Sequence, residues 1–332
     1  MKRNIWLDLY KIFLAFLVIC IHFIGENYTH HVLYRIAVPS FFMISGYYLY
    51  NKDDVINLDK AKNFIKRCFK YLAIGFSVYI VYDFIMCYVD DKGVGYYFTT
   101  LFYEDFLFEF FFLNRPPTYH SYQIWFLIAL FTISLVHYLI IKYKKEKYYK
   151  FIIPIGICIY LFFSGYMKLF QYTDMPIRYT RNAWFFGLPL FAIGYLMAQY
   201  DFHKKKTNKY IYLGIGLIFF FIQLLENKVV NMEMYLSTVI SSACLLQFFL
   251  GLKKIKCNWF YNIFSKSLSF AVYILHVAVG VTLGRLFTFN NLYLKSIYIL
   301  LLSILIYIVV FNLYKLINKF YKNKRGVVNE IY

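Results

Sequence analysis

Acidic residues are scarce in this chain. There are 17 Asp and Glu against 36 Lys and Arg, a net charge of +19. In a soluble protein that excess would point to nucleic acid. Here no polar stretch is long enough to be a soluble domain, and the basic residues fall in short runs between apolar segments. That pattern belongs to cytoplasmic loops, so the charge reads as a topology signal with anionic-lipid contact, and no nucleic-acid partner is expected. CxxC spacing is also missing. Cys20, Cys68, Cys87, Cys158, Cys244 and Cys257 are scattered, which argues against a metal site or a disulfide framework. The weak alternation of a transmembrane barrel is absent. No small-residue cleavage site follows the first apolar run, so Met1-Lys2-Arg3 opens a retained helix rather than a signal peptide. No convincing internal repeat supports an inverted-repeat transporter.

What remains is apolar. The chain is 61% hydrophobic and 23% aromatic, with repeated apolar runs of about 20 residues, the length of a membrane span. The sequence therefore predicts an all-α, polytopic membrane protein, one domain over residues 1–332 with a basic tail from about 317. Ten helices are expected, at about 5–24, 33–50, 71–89, 123–141, 149–166, 183–200, 210–225, 234–252, 265–287 and 293–316. The aromatic stretch 101–113 reads as a short interfacial or re-entrant helix. Alternate links are basic: the N-terminus, 51–70, 142–150, 203–209, 253–256 and the tail. With an even helix count, the positive-inside rule puts both termini in the cytoplasm.

The first helix carries a polar stripe. Asp8, Lys11, Ala15, Val18, His22 and Glu26 are spaced by three or four residues and share one helical face. Ionisable groups in such a segment are expected to face a bundle interior or a water-filled cavity. Asp8 can pair with Lys11, and Glu26 can reach His22 if the helix continues. A carboxylate beside the imidazole would suit a general base. The bland alternative is a histidine packed between helices and satisfied by a carbonyl. Lys11 and His22 are about three turns apart, ~16 Å, and cannot touch. Arg35 follows across a short link and can bind a carboxylate, phosphate or oxyanion, or else snorkel to the interface. Pro39 interrupts the local ladder, and Ser45-Gly46 allows close backbone approach. Gln123, Trp125, Arg181, Asn182, Ser267, Ser269, Tyr273 and His276 add polar groups toward the outer ends of later helices, which suggests one cavity open to the outside. Individually Trp125 can be interface belt, Arg181 an anchor and His276 a core histidine.

Several of these stretches are similar to a known family. Lys11 with His22, ten residues intervening, resembles the basic-residue-x10-His signature of the integral-membrane acyltransferase 3 family, and Leu7-Asp8 upstream also fits. Arg35-Ile-Ala-Val-Pro-Ser-Phe-Phe-Met-Ile-Ser-Gly-Tyr47 resembles its R-x-x-V-P-x-F-F-x-x-S-G-[YF] stretch. Ile124-Trp125-Phe126-Leu127 is similar to H-x-W-F-L, with Tyr122-Gln123 where a histidine is more usual. Arg181-Asn182 to Gly194 and Ser267 to His276 resemble its late motifs.

The resemblance implies transfer of an acyl group, often acetyl, from acyl-CoA to a hydroxyl of an extracytoplasmic glycan or cell-wall component. It implies a multi-pass protein of a bacterial plasma membrane, acyl-CoA as co-substrate and no bound cofactor. His22 would be the central catalytic residue with Lys11 assisting; Glu26 as partner to His22 comes from spacing alone. Arg35, Ser45, Trp125, Arg181 and His276 are the candidate substrate- or donor-binding residues. The Arg35–Tyr47 and Arg181-Asn182 wording is also similar to the membrane domain of VanT-type serine racemases. That leaves a second reading, transport or binding of serine or a similar small polar molecule, with Arg35 on a carboxylate and Glu26 on an ammonium.

Overall fold

The computed structural model describes residues 4–24, 29–98, 105–173, 175–200, 208–253 and 268–329. Within them the chain is helical, with no strand. Its helices are α1 (Ile5–Phe23), α2 (Ala37–Tyr47), α3 (Asp54–Val89), α4 (Val94–Tyr97), α5 (Phe106–Phe111), α6 (Trp125–Lys142), α7 (Tyr149–Ser164), α8 (Ile177–Thr180), α9 (Leu188–Gln199), α10 (Lys209–Val229), α11 (Leu236–Gly251), α12 (Leu268–Leu286) and α13 (Leu292–Asn329). A helix of at least 11 residues overlaps each of the ten expected positions. Among the described residues, seven helical stretches, including Ile5–Phe23, Asp54–Val89 and Tyr119–Lys142, are long and apolar enough to cross a membrane. Helices α2, α9 and α11 are shorter.

Two boundaries differ from expectation. The predicted basic loop 51–70 is mostly the first half of α3, a continuous helix of 36 residues, ~54 Å long. Hydropathy does not detect it, because Lys and Arg are good helix formers that depress the apolar signal without breaking the helix. Asp53 starts it by accepting from the Val55 and Ile56 N–H groups. Likewise α13 runs on to Asn329 past the predicted end near Leu316. The expected aromatic segment 101–113 contains only the short α5, and residues 99–104 lie outside the described residues.

The shorter helices are set by their ends. A 3₁₀ turn, Thr29–Ile36, feeds α2, and Pro39 falls in the first turn of that helix, where a missing N–H costs nothing. A π-type turn, Ala183–Gly187, feeds α9 with Pro189 near its start. Asn182 caps that turn by accepting from Trp184 and Phe185 N–H. Irregular backbone at membrane depth is tolerated where protein surrounds it, and Phe42, Phe186, Leu190 and Phe191 around these elements are buried.

Helices α2 and α9 cross in backbone contact. A Cβ on Gly46 would sit 2.0 Å from the Phe191 carbonyl oxygen, and one on Gly194 1.9 Å from the Met43 oxygen. Small residues permit such crossings in membranes. Gly194→Val should therefore separate the pair and destabilise the protein by about 3 kcal/mol, read as a lowered Tm in detergent; an unchanged Tm would contradict this packing.

The bundle has two distinct ends. Asn4 Nδ2 donates to the Phe249 carbonyl and Trp6 Nε1 to that of Lys253, so the start of α1 meets the end of α11. Lys144 bridges to Asp54 at 2.8 Å, bringing the region after α6 to the start of α3. This end carries the basic first half of α3. The opposite end holds the end of α1, the Thr29–Ile36 turn, the start of α6 and the link between α10 and α11.

Candidate functional site

At that opposite end, the last turn of α1 presents His22 to a cavity of about 40 Å³. Arg35, Gln123, Trp125, Arg181, Glu233 and Tyr273 are among the residues lining it. The space suits about three water-sized groups. The His22 ring stacks on His276 with centroids 5.3 Å apart and meets Tyr122 edge-on at 5.1 Å. Nδ1 of His276 lies 2.6 Å from the Tyr273 carbonyl. A carbonyl only accepts, so Nδ1 carries the proton and the neutral ring's Nε2 is an acceptor. This Nε2 is buried and has no hydrogen-bond partner among the described residues.

Arg35 and Arg181 converge on one carboxylate. Arg35 Nη1 lies 2.9 Å from Oε1 of Glu233, and Arg181 Nη1 lies 2.8 Å from Oε2. Arg181 also covers the Trp125 ring, 5.0 Å from its centroid. Glu233 sits in the link between α10 and α11. Tyr235 pins this link, accepting from the Met232 N–H at 2.9 Å and donating to Asn227 Oδ1 at 2.7 Å. Burial alone would raise the Glu233 carboxyl, but the two guanidinium charges and their hydrogen bonds outweigh it and bring it to about 2. The Glu233 carboxylate thus stays ionised at neutral pH.

Gln123 belongs to a 3₁₀ turn, Tyr119–Ile124, that leads into α6. The Ser121 hydroxyl ties the start of the turn, accepting from the Thr118 N–H and donating to the Thr118 carbonyl. The turn is also anchored to α3, where fully buried Asp83 accepts from both Nδ1 and the backbone N–H of His120. The Tyr273 hydroxyl donates to the Gln123 backbone carbonyl. Both side-chain amide atoms of Gln123 are buried without a partner among the described residues.

Lys11 does not reach this cavity. It pairs with Asp8 at 2.6 Å and lines a second, larger space of about 230 Å³ with Ser45, Arg67, Tyr71 and Ser269. Ser45 Oγ donates to the Phe41 carbonyl at 2.8 Å. Phe126 and Tyr273 line both spaces and meet at 5.5 Å between centroids, so these two rings form the wall between them. A third space of about 160 Å³, lined by Tyr160, Ser164, Thr180 and Asn231 among others, shares Arg35 and Glu233 with the first.

The polar face of α1 therefore serves two chambers, Lys11 one and His22 the other. His22, Arg35, Trp125 and Arg181 share a chamber; Ser45 joins Lys11, and His276 backs onto the His22 ring. Glu26 and Ser267 lie outside the described residues. Sequence reasoning missed Glu233 as the centre of the arginine pair and Asp83 as the anchor of the Gln123 turn. Asp83 had a signal, a carboxylate in the middle of an apolar helix. Glu233 had none, standing in a short mixed-charge link far along the chain from either arginine. Among the described residues no group of three or more His, Cys, Asp or Glu side chains is placed to hold a metal ion.

A family model described as an acyltransferase domain, acyltransferase 3, matches residues 4–315. The chain belongs to this family. It is a multi-pass membrane acyltransferase, acting on groups other than aminoacyl groups. No significant match was found among curated proteins or solved structures. For this acyltransferase the match spans both chambers, from the start of α1 into α13, and takes in every residue named at the site.

Proposed function

We propose that this acyltransferase moves an acetyl group from acetyl-CoA to a hydroxyl of an extracytoplasmic cell-surface glycan or cell-wall component. The observation that carries the reading is the two-chamber arrangement on one face of α1. The basic end, with Lys66 and Arg67 on α3, is the cytoplasmic end by the positive-inside rule. The 230 Å³ space beside Lys11 and Arg67 then takes the donor's thioester arm, with the two cations facing its anionic part. The acyl group passes the Phe126–Tyr273 wall into the chamber of His22. The polar third space beyond Arg35 and Glu233 is the acceptor's side.

In this reading His22 is the general base. It removes the proton from the acceptor hydroxyl as the oxygen attacks the thioester carbonyl. The Arg35–Glu233–Arg181 cluster forms the polar wall on the acceptor side and supplies positive charge near the developing oxyanion. Ester-linked acetyl on surface glycans, compared by mass spectrometry in cells with and without the gene, tests the proposal. The expected result is loss of one class of O-acetyl ester. An identical ester profile in the two strains would sink the assignment.

A further inference from the structure

The side chain of Gln123 is poorly explained as packing. It is 1% exposed, lines the chamber of His22, and neither Nε2 nor Oε1 has a hydrogen-bond partner among the described residues. An amide has two N–H donors and a carbonyl acceptor, and burying all of them unpaired in an apolar bundle is costly. A buried group of this kind persists when something else satisfies it in use.

The surroundings hold the amide in place. Its own backbone carbonyl takes the Tyr273 hydroxyl, the Ser121 hydroxyl ties the start of its turn to the Thr118 backbone, and the Asp83–His120 pair fixes that turn to α3. Such a donor is preorganised and costs no reorganisation at the moment of reaction. Trp125, two residues on, lies under Arg181. Gln123, His22, Arg35 and Arg181 thus line one space of about 40 Å³.

We propose that Gln123 is a catalytic residue, its Nε2–H donating to the acyl carbonyl oxygen as that oxygen becomes anionic. This rests on the acyl-transfer reading given above. The acceptor oxygen forms a bond to the thioester carbonyl carbon while His22 takes its proton. The C=O π pair moves onto oxygen, where Gln123 holds it. Collapse reforms the carbonyl and breaks the C–S bond, and the departing thiolate takes the proton from the His22 imidazolium. Oε1 is left to accept from a neighbouring hydroxyl of a polyhydroxylated acceptor.

The test uses the full chain in lipid vesicles, with acetyl-CoA as donor and de-O-acetylated cell-envelope glycan as acceptor. Release of free thiol and formation of ester are followed together. Gln123→Leu removes donor and acceptor; Gln123→Glu keeps the shape and the acceptor but loses the donor. Both should lower kcat by about 10²–10³-fold with KM for acetyl-CoA changed less than about threefold, the signature of an interaction made in the transition state. Where the leucine variant is not recovered as a monodisperse protein, the glutamate variant decides. Wild-type kcat in a folded variant, or a loss confined to KM, would overturn the role of Gln123. Absence of transfer by the wild-type protein would instead sink the acyl-transfer reading itself.

Discussion

His22→Ala should lower acyl transfer by about 10²–10⁴-fold, the range that a positioned general base supplies, while the protein still inserts and folds. The expectation of a folded variant comes from the site. His22 is half-buried at the end of α1 and borders a cavity, so truncation enlarges a space that already exists. The core packing of α1 rests on Leu7, Tyr10, Leu14, Val18 and Ile19, all buried. His276, 5.3 Å away between ring centroids, gives little rescue, because it is not among the residues lining the chamber of His22. Lys11→Ala makes a useful contrast. Lys11 lies in the other chamber, so its loss should appear chiefly in KM for the donor. Surface O-acetyl content in cells and thiol release from the purified protein both read this out. A His22→Ala protein with activity within threefold of wild type would remove His22 from the chemistry.

The sequence showed the stripe on α1 because charge in an apolar helix is costly and periodicity puts its members on one face. It did not show that the stripe is divided. Lys11 and His22 are separated by the rings of Phe126 and Tyr273, contributed by α6 and α12, and aromatic residues at those positions look like any others in a chain this rich in them. The ten helical positions were legible from apolar runs. The first half of α3 was not, because its lysines and arginines hide a helix that extends beyond the apolar core. Arg35 and Arg181 were legible singly, as charges beside apolar helices. Their meeting depends on Glu233, and a long-range ion cluster leaves no local pattern. Gln123 stood where a histidine is more usual in the family's wording; only the fold reveals that its amide is buried without a partner among the described residues and that the residue lines the chamber of His22.

The second large effect should come from Glu233. It is the common partner of two guanidiniums, and it retains about a fifth of its side-chain exposure, 21%. Removing one member of a buried ion pair costs about 3–5 kcal/mol because the remaining charge is stranded. Here two like charges would be left facing one another, while partial exposure lets water recover some of the loss. Glu233→Gln should therefore destabilise the protein by about 3 kcal/mol, toward the low end of that range, and impair transfer by loosening the polar wall of the chamber that His22 lines. The pH dependence gives a second, independent readout. The carboxyl is held at about 2, below its ordinary value of 4.5. A depressed folded-state value means that the unfolded chain binds the proton first as pH falls. The contribution of Glu233 is thus fully present above pH 4.5 and is lost progressively as pH falls through about 2. Tm of the wild-type protein in detergent should fall across that window, and the Gln variant, already lacking the charge, should lose less of its Tm there. Parallel acid limbs in the two proteins would mean that the cluster does not stabilise the fold. A Gln variant as stable as wild type at neutral pH would mean that the two arginines do not need their shared partner.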